Sequence, residues 1–235
     1  MAIDFDILRR QPVFAALTPR ERQLVAAAAS PSTLAAEQRV FIQGEPASDF
    51  FLCLSGHIKL VRDDLGRSPV ILRIVHPGEP FGLGRSVHAR RHSATAIALS
   101  DCALAVWPLR SWHQFVHDMP GLPLGLIQLL ERRLSDAQDR FVEIAALDVS
   151  RRIAHAILRL IDQAGRQEVG GVRIDFPVSR QDIAAQTGTT LHNVSRILTR
   201  WERQGVLSGG RRTLLVRDIP ALMRLATVAD ASAAA

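Results

Sequence analysis

The chain of 235 residues has no apolar run of about 18 residues or more, so it offers no helix able to span a bilayer. Its first residues include Asp4 and Asp6 and lack a basic stretch followed by an apolar one, which argues against a secretory signal. Cysteine is scarce: Cys53 and Cys102 stand far apart in sequence, so they form neither a disulfide framework nor a closely spaced metal-binding pair. A cytoplasmic protein with reduced thiols is expected. Paired carboxylates, nucleophile–base motifs and clustered metal ligands do not stand out, and Gly82-Leu83-Gly84 is too short and isolated to cradle a phosphate, so the chain is not expected to be an enzyme. Lysine is nearly absent as well: Lys59 is alone beside 28 arginines, a skew that genomic base composition can produce by itself.

What is present is an uneven distribution of charge. Val149 to Arg217 holds 12 basic and 5 acidic residues, whereas the chain before it has 16 of each and the chain after it 1 basic and 2 acidic. Neutralisation of phosphates drives DNA binding, so the excess marks where a DNA contact belongs. The same region contains Ser179-Arg180-Gln181-Asp182-Ile183, then Gly188, then Thr190 and Leu191 to Leu198. These read as a helix-turn-helix. Ser179 caps the first helix with Asp182 three residues on, Gly188 makes the left-handed turn, and Thr190 caps the second helix. Ile183, Val194, Ile197, Leu198 and Trp201 supply the shared apolar face. Two short apolar runs, 205–207 and 213–216, flank a glycine turn with Arg211 and Arg212, giving a hairpin wing.

Upstream, short apolar runs at 40–42, 50–54, 58–61, 70–75, 94–99 and 103–107 are separated by turn residues, among them Gly44-Glu45-Pro46, Ser55-Gly56, Asp63-Asp64-Leu65-Gly66 and Pro77-Gly78. Many short strands with this punctuation predict a β-sandwich or barrel. Before them, residues 12–30 read as one helical segment with Thr18 as a cap. After them, about 123–147 reads as a long helix in which Ile127, Leu130, Leu134, Ala137, Phe141 and Ile144 recur at spacings of 3, 4, 3, 4 and 3. That is a coiled-coil seam, read as a dimer interface, although a helix packed on its own β-domain gives a related pattern. Asp148 then caps another amphipathic helix, 150–163, and is read as a hinge.

In this order the parts resemble the CRP/FNR family of bacterial transcription regulators. The resemblance spans about 14–216 and rests on Gly44-Glu45-Pro46, Leu54-Ser55-Gly56, Leu147-Asp148-Val149, Arg180-Gln181-Asp182-Ile183 and Val194-Ser195-Arg196-Ile197-Leu198. It implies an α+β fold: a cyclic-nucleotide-binding-like β-roll (1–120), a dimerisation helix (121–147) and a winged helix-turn-helix domain (148–235). It implies a homodimer on double-stranded DNA, with RNA polymerase as a further partner and no membrane. Arg196 matches the family arginine that reaches guanine, Ser195 a serine of the FNR branch, and His192 stands where many members have glutamate. Together they are the expected base contacts. Ser179, Arg180, Gln181, Asn193 and Arg212 match phosphate contacts. A TTG-like palindrome is the implied target.

The effector is harder to name. In members that bind cyclic AMP, a Gly-Glu pair meets the ribose and an Arg-Ser pair meets the phosphate. Here the matching pocket residues are Gly82, Leu83, Arg91, His92 and Ser93. Leu83 cannot accept a ribose hydrogen bond and His92 lacks a bidentate fork, so cyclic nucleotide binding is not expected. Two cysteines are too few for the family's four-iron cluster. The string Gly188 to Arg196 looks closest to the nitric-oxide-responsive branch (NnrR/DNR type), which implies a haem or other NO-responsive site with His57, His76, His88 or His92 as candidate ligands. A cyclic-nucleotide-responsive regulator and a ligand-independent one with a degenerate pocket are the alternatives.

Overall fold

The computed structural model describes Leu8, 11–63, 69–83, 91–210 and 212–227; Gly84, His88, the turn at 64–66, Arg211 and the tail at 229–235 lie outside these residues. By internal packing the chain divides into two compact units, Met1–Arg62 with Arg73–Ala137, and Asp63–Leu72 with Gln138–Ala235.

The first unit begins with helices α1 (Pro12–Ala15) and α2 (Pro19–Ala27). The single helix expected over 12–30 is therefore two. Thr18 breaks the run by adopting an extended conformation and forming a reciprocal capping box with Glu21. Among the described residues eight strands follow: β1 (Ser30–Leu34), β2 (Arg39–Phe41), β3 (Asp49–Ser55), β4 (Ile58–Arg62), β5 (Val70–Val75), β6 (Pro80–Phe81), β7 (Thr95–Ala98) and β8 (Cys102–Pro108). They form two four-stranded sheets, β1-β8-β3-β6 and β2-β7-β4-β5, so the β-roll expectation holds. One apolar cluster joins residues of both sheets, with Phe51, Cys53 and Leu104 from the first and Phe41, Ile58 and Ala96 from the second. Cys53 and Cys102 are buried, free thiols here. A second cluster packs the helices onto the roll: Phe50 stacks on Trp107 at 5.1 Å, and the Trp107 indole donates to the Val25 carbonyl at 2.7 Å. After α3 (Leu109–Asp118), the long helix α4 spans Gly121–Ala146.

In the second unit, Leu147 and Asp148 separate α4 from α5 (Val149–Ala164). Asp148 caps α5 as expected, its carboxylate accepting from the Arg151 amide at 2.9 Å. Glu143 near the end of α4 reaches across this joint to Arg159, with His155 at 3.7 Å. A hairpin of β9 (Gly165–Glu168) and β10 (Gly171–Ile174) precedes the reading helices α6 (Arg180–Thr187) and α7 (Leu191–Arg203). Strands β11 (Leu207–Gly209) and β12 (Leu214–Val216) then pair antiparallel as the wing, and α8 (Ile219–Thr227) closes the unit. The wing belongs to a four-stranded sheet, β11-β12-β10-β9.

The turn between α6 and α7 depends on Gly188, at φ 62° and ψ 38°. A Cβ there would meet nothing within 4 Å, so a side chain costs backbone strain and not a clash. Gly188→Ala is expected to destabilise the unit by about 1–2 kcal/mol, and Gly188→Asn by less, because asparagine tolerates the left-handed region. Denaturant unfolding of the two variants checks the order.

Candidate DNA interface and effector pocket

The helix-turn-helix is built as its sequence indicates. The Ser179 hydroxyl accepts from the Asp182 amide at 3.1 Å and the Ser179 backbone amide donates to the Asp182 carboxylate at 3.0 Å, completing a capping box; the hydroxyl also donates to that carboxylate at 2.6 Å. The Thr190 hydroxyl accepts from the Asn193 amide at 3.2 Å. Ile183, Val194, Ile197, Leu198 and Trp201 are all buried. Leaving the core, the other face of α7 reaches solvent. His192 and Arg196 are exposed and Ser195 half-buried, and all three line one shallow concavity with Thr199, Arg200 and Arg203. A second concavity brings Ser179, Arg180 and Gln181 beside Gly209 and Gly210 of the wing. Thus the expected base-reading residues share one surface, and three of the expected phosphate contacts share another.

Ion pairing separates the arginines of this unit. Arg159 pairs with Glu143, Arg166 with Asp175, and Arg173 with Glu168. Arg180 is also committed: its guanidinium holds Glu202 at 3.0 and 3.2 Å and the Thr199 hydroxyl at 3.3 Å, bracing α6 against α7. A phosphate would have to compete with Glu202 for it. Ser179 is likewise consumed by its cap, and the Asn193 amide donates to Thr189 at 3.1 Å. Gln181 and Arg212 are exposed. Among the described residues Arg196 and Arg203 form no ion pair, so the unbalanced charge of the unit includes the recognition face. Arg200 and Arg203 were not singled out by sequence; their positions four and seven residues after Arg196, on the same helix face, were the available signal.

In the β-roll, the five expected pocket residues do meet. Gly82, Leu83, Arg91, His92 and Ser93 line a cavity of about 100 Å³ together with Phe41, Arg73, Phe81 and Arg133. Gly82 has φ 85°, and a Cβ there would press to 2.9 Å from the Phe51 ring. The His92 ring lies flat on Phe41, with centroids 3.7 Å apart. Arg91 donates to the Gly44 carbonyl at 2.7 Å. Arg73 pairs with Glu79 at 2.8 Å. Arg133, on α4, donates to the Pro80 carbonyl at 2.5 Å. Burial first, and then the charge of Arg73, pulls the Arg133 guanidinium down to about 10, against the opposing pull of Glu79.

Burial also holds the His92 imidazole below its ordinary value, against the pull of Glu45 and Asp49. The folded chain therefore favours neutral His92 and binds fewer protons there than the unfolded chain. This contribution to stability is complete above the unfolded value of 6.5 and is lost as pH falls below it. His92→Phe keeps a ring on Phe41 without the titration. Its melting temperature should fall less than that of the parent between about pH 7.5 and about pH 5.

On α4, the seam residues Ile127, Leu130, Leu134, Ala137, Phe141 and Ile144 are all exposed, the large ones from 51% (Leu130) to 73% (Phe141). Leu122 and Gly125 on the other side are buried, and Leu126 and Leu129 pack on the roll core. The helix therefore has a body-facing stripe and a separate, uncovered apolar stripe. Among the described residues no helix is long and apolar enough to cross a membrane.

A basic winged helix-turn-helix unit joined through a long helix to a β-roll with its own pocket defines a DNA-binding regulator. Comparison with known proteins agrees: residues 31–118 match the model of the cyclic nucleotide-binding domain, and residues 151–225 that of the Crp-like helix-turn-helix domain. The chain belongs to the CRP/FNR family of transcription regulators. It is 28% identical over 219 residues to the cyclic AMP receptor protein of Thermus thermophilus, covering 93% of this chain and 98% of that one. It is 28% identical over 208 residues to the nitrogen fixation regulation protein FixK of Azorhizobium caulinodans, covering 88% and 83%. Its fold matches the structure of FixK2 from Bradyrhizobium japonicum with a TM-score of 0.74 at 22% identity, over 86% of this chain and 99% of that one.

Proposed function

We propose that this regulator works as a parallel homodimer on a palindromic duplex with TTG-like half-sites, and that the state of its β-roll sets how the two reading heads are held. The observation that carries this reading is the solvent-facing surface of α7, where His192, Ser195 and Arg196 stand together over a buried apolar face. Arg196 suits the guanine edge because its fork bonds O6 and N7 at once. Ser195 and His192 are the neighbouring base contacts. Gln181 and Arg212 set register on phosphates, while Ser179, Arg180 and Asn193, engaged within the unit, hold the reading helices in place. Asp148 is the joint through which the roll and α4 act on α5, with the Glu143–Arg159 pair as its brace. Two recognition helices enter successive major grooves when they lie roughly 34 Å apart.

The nitric-oxide reading draws on the resemblance of α7, and the roll does not extend it to haem. A haem needs a pocket in the range of roughly 300–1,000 Å³. The cavity beside His92 is about 100 Å³, His92 is packed on Phe41, and the rings of His57 and His76 pack edge-on against each other at 5.2 Å. The similarity to a protein named for cyclic AMP favours a second reading, a cyclic-nucleotide-responsive regulator, against which Leu83 and His92 stand.

Selection of bound duplexes from a random pool tests the function. A two-fold motif with TTG-like halves, bound with steep dependence on salt, is the expected result. Recovery of asymmetric or sequence-indifferent duplexes contradicts it.

A further inference from the structure

The two cysteines, far apart in sequence, meet in the first unit. Cys53 lies near the end of β3 and Cys102 opens β8. Cys53 pairs with Leu104, and Cys102 stands two residues before Leu104, so both thiols lie on the same face of that sheet. The ladder slips between Cys53 and Ser55, and such a bulge bends the strand where the thiols must approach. There the two side chains hydrogen-bond to each other. Both are buried in the apolar cluster between the sheets, with the turns at 55–57 and 100–101 lying against them. Ser55 and Asp101 of these turns are exposed. Gly56 sits so close that a Cβ there would come within 2.6 Å of the Cys102 Sγ. Each sulfur also reaches carbonyls of the turns: Cys53 those of Ser55 and Gly56 at 3.4 and 3.3 Å, Cys102 those of His57 and Ser100 at 3.4 and 3.1 Å. The contact makes the thiols unequal. The hydrogen bond from Cys53 acts most strongly on Cys102 and, with those of His57 and Ser100, brings its thiol down to about 7 against the effect of burial. The same bond, followed by burial, pushes the Cys53 thiol up. Cys102 is thus the nucleophile and Cys53 the thiol held beside it.

We propose that Cys53 and Cys102 form a dithiol site in the β-roll that hydrogen peroxide converts to an intramolecular disulfide. The site requires neither DNA nor a ligand in the roll pocket. The Cys102 thiolate attacks one peroxide oxygen; an S–O bond forms, the O–O bond breaks, and the departing hydroxide takes up the proton that Cys102 gave up, leaving as water. The Cys53 sulfur then attacks the sulfenic sulfur; the S–S bond forms, the S–O bond breaks, and the second hydroxide leaves as water with the Cys53 proton. Two thiols lose two electrons and two hydrogens, and the peroxide is reduced to two waters. Sulfurs already in hydrogen-bond contact need only a short approach to close a bond of about 2.05 Å. The disulfide fastens the end of β3 to the start of β8, and exchange with a small thiol reverses it.

The test exposes the full chain, reduced and then freed of reductant, to hydrogen peroxide while circular dichroism shows that it stays folded. Both thiols should disappear together, the intact mass should fall by two hydrogens, and peptide mapping should join the fragments holding Cys53 and Cys102 within one chain. Dithiothreitol should restore both thiols. Cys53→Ser should stop at a sulfenic acid on Cys102 that dimedone traps. In Cys102→Ser the remaining thiol should react at least about tenfold more slowly than the remaining thiol of Cys53→Ser. Thermal unfolding shows whether each variant is folded; if either is not, the mapping of the parent decides. The proposal is overturned if both thiols of the folded parent survive and react only on unfolding, or if the bond found joins two chains. It is also overturned if Cys102 runs on to a sulfinic acid with Cys53 still reduced, or if the two folded variants lose their thiols equally fast.

Discussion

Arg196→Ala is expected to weaken binding to the selected palindrome by about 1–3 kcal/mol for each half-site and to flatten preference at one base pair of each half. Three properties of this residue make the effect large. Its side chain is exposed on the face of α7 opposite the buried Val194 and Ile197, so its loss leaves the fold intact. It forms no ion pair among the described residues, so no internal partner competes with the base. A bidentate contact also has no substitute when truncated, because alanine leaves both guanine acceptors unbonded. The measurement is a competition series with every base at the affected position. Uniform weakening across all four bases would instead make Arg196 a phosphate contact. Arg180→Ala provides the contrast. Removing it frees Glu202 and loosens α6 on α7, so the unit should lose thermal stability along with affinity, with the order of base preference preserved.

The parts legible in the sequence are those governed by local chemistry. Ser179, Asp182, Gly188 and Thr190 fix the reading helices through capping and a left-handed turn, and those signals sit within a few residues of their effect. The strand at 70–75 was likewise visible because its apolar run is bounded by turns. Strand β1 was not: Ser30-Pro31-Ser32-Thr33-Leu34 has no apolar run, and it is a strand because it pairs along β8 from Ser30↔Val106 to Leu34↔Cys102. It is an edge strand, where proline costs no ladder bond. The hairpin β9–β10 is similar, since its first strand is wholly exposed and its place comes from β12. In the pocket, the five residues near 82 and 91–93 were found by resemblance, whereas Arg73 and Arg133 come from distant parts of the chain. Arg133 had a signal of its own, for it follows Leu126 and Leu129 along the body-facing stripe of α4, where an apolar residue would be the ordinary choice.

The second large effect concerns α4. Leu134→Asp with Phe141→Asp should convert the protein to a monomer and reduce its affinity for the palindrome by about 10²–10⁴, while leaving affinity for an isolated half-site nearly unchanged. Leu134 and Phe141 are 60% and 73% exposed, so the substitutions remove no contact inside the chain and the folded protomer should melt almost as before. In a dimer the same two positions lie one heptad apart on the seam, and a buried, unpaired carboxylate at each would be strongly unfavourable against its symmetry mate. Joining two half-site contacts makes the second one intramolecular, and that advantage disappears with the dimer. Sedimentation and DNA titration on one sample separate the alternatives. A variant that stays dimeric places the interface elsewhere. A monomer that still binds the full palindrome as tightly as the parent means that each chain reads its site alone, and the two-fold model of recognition then fails.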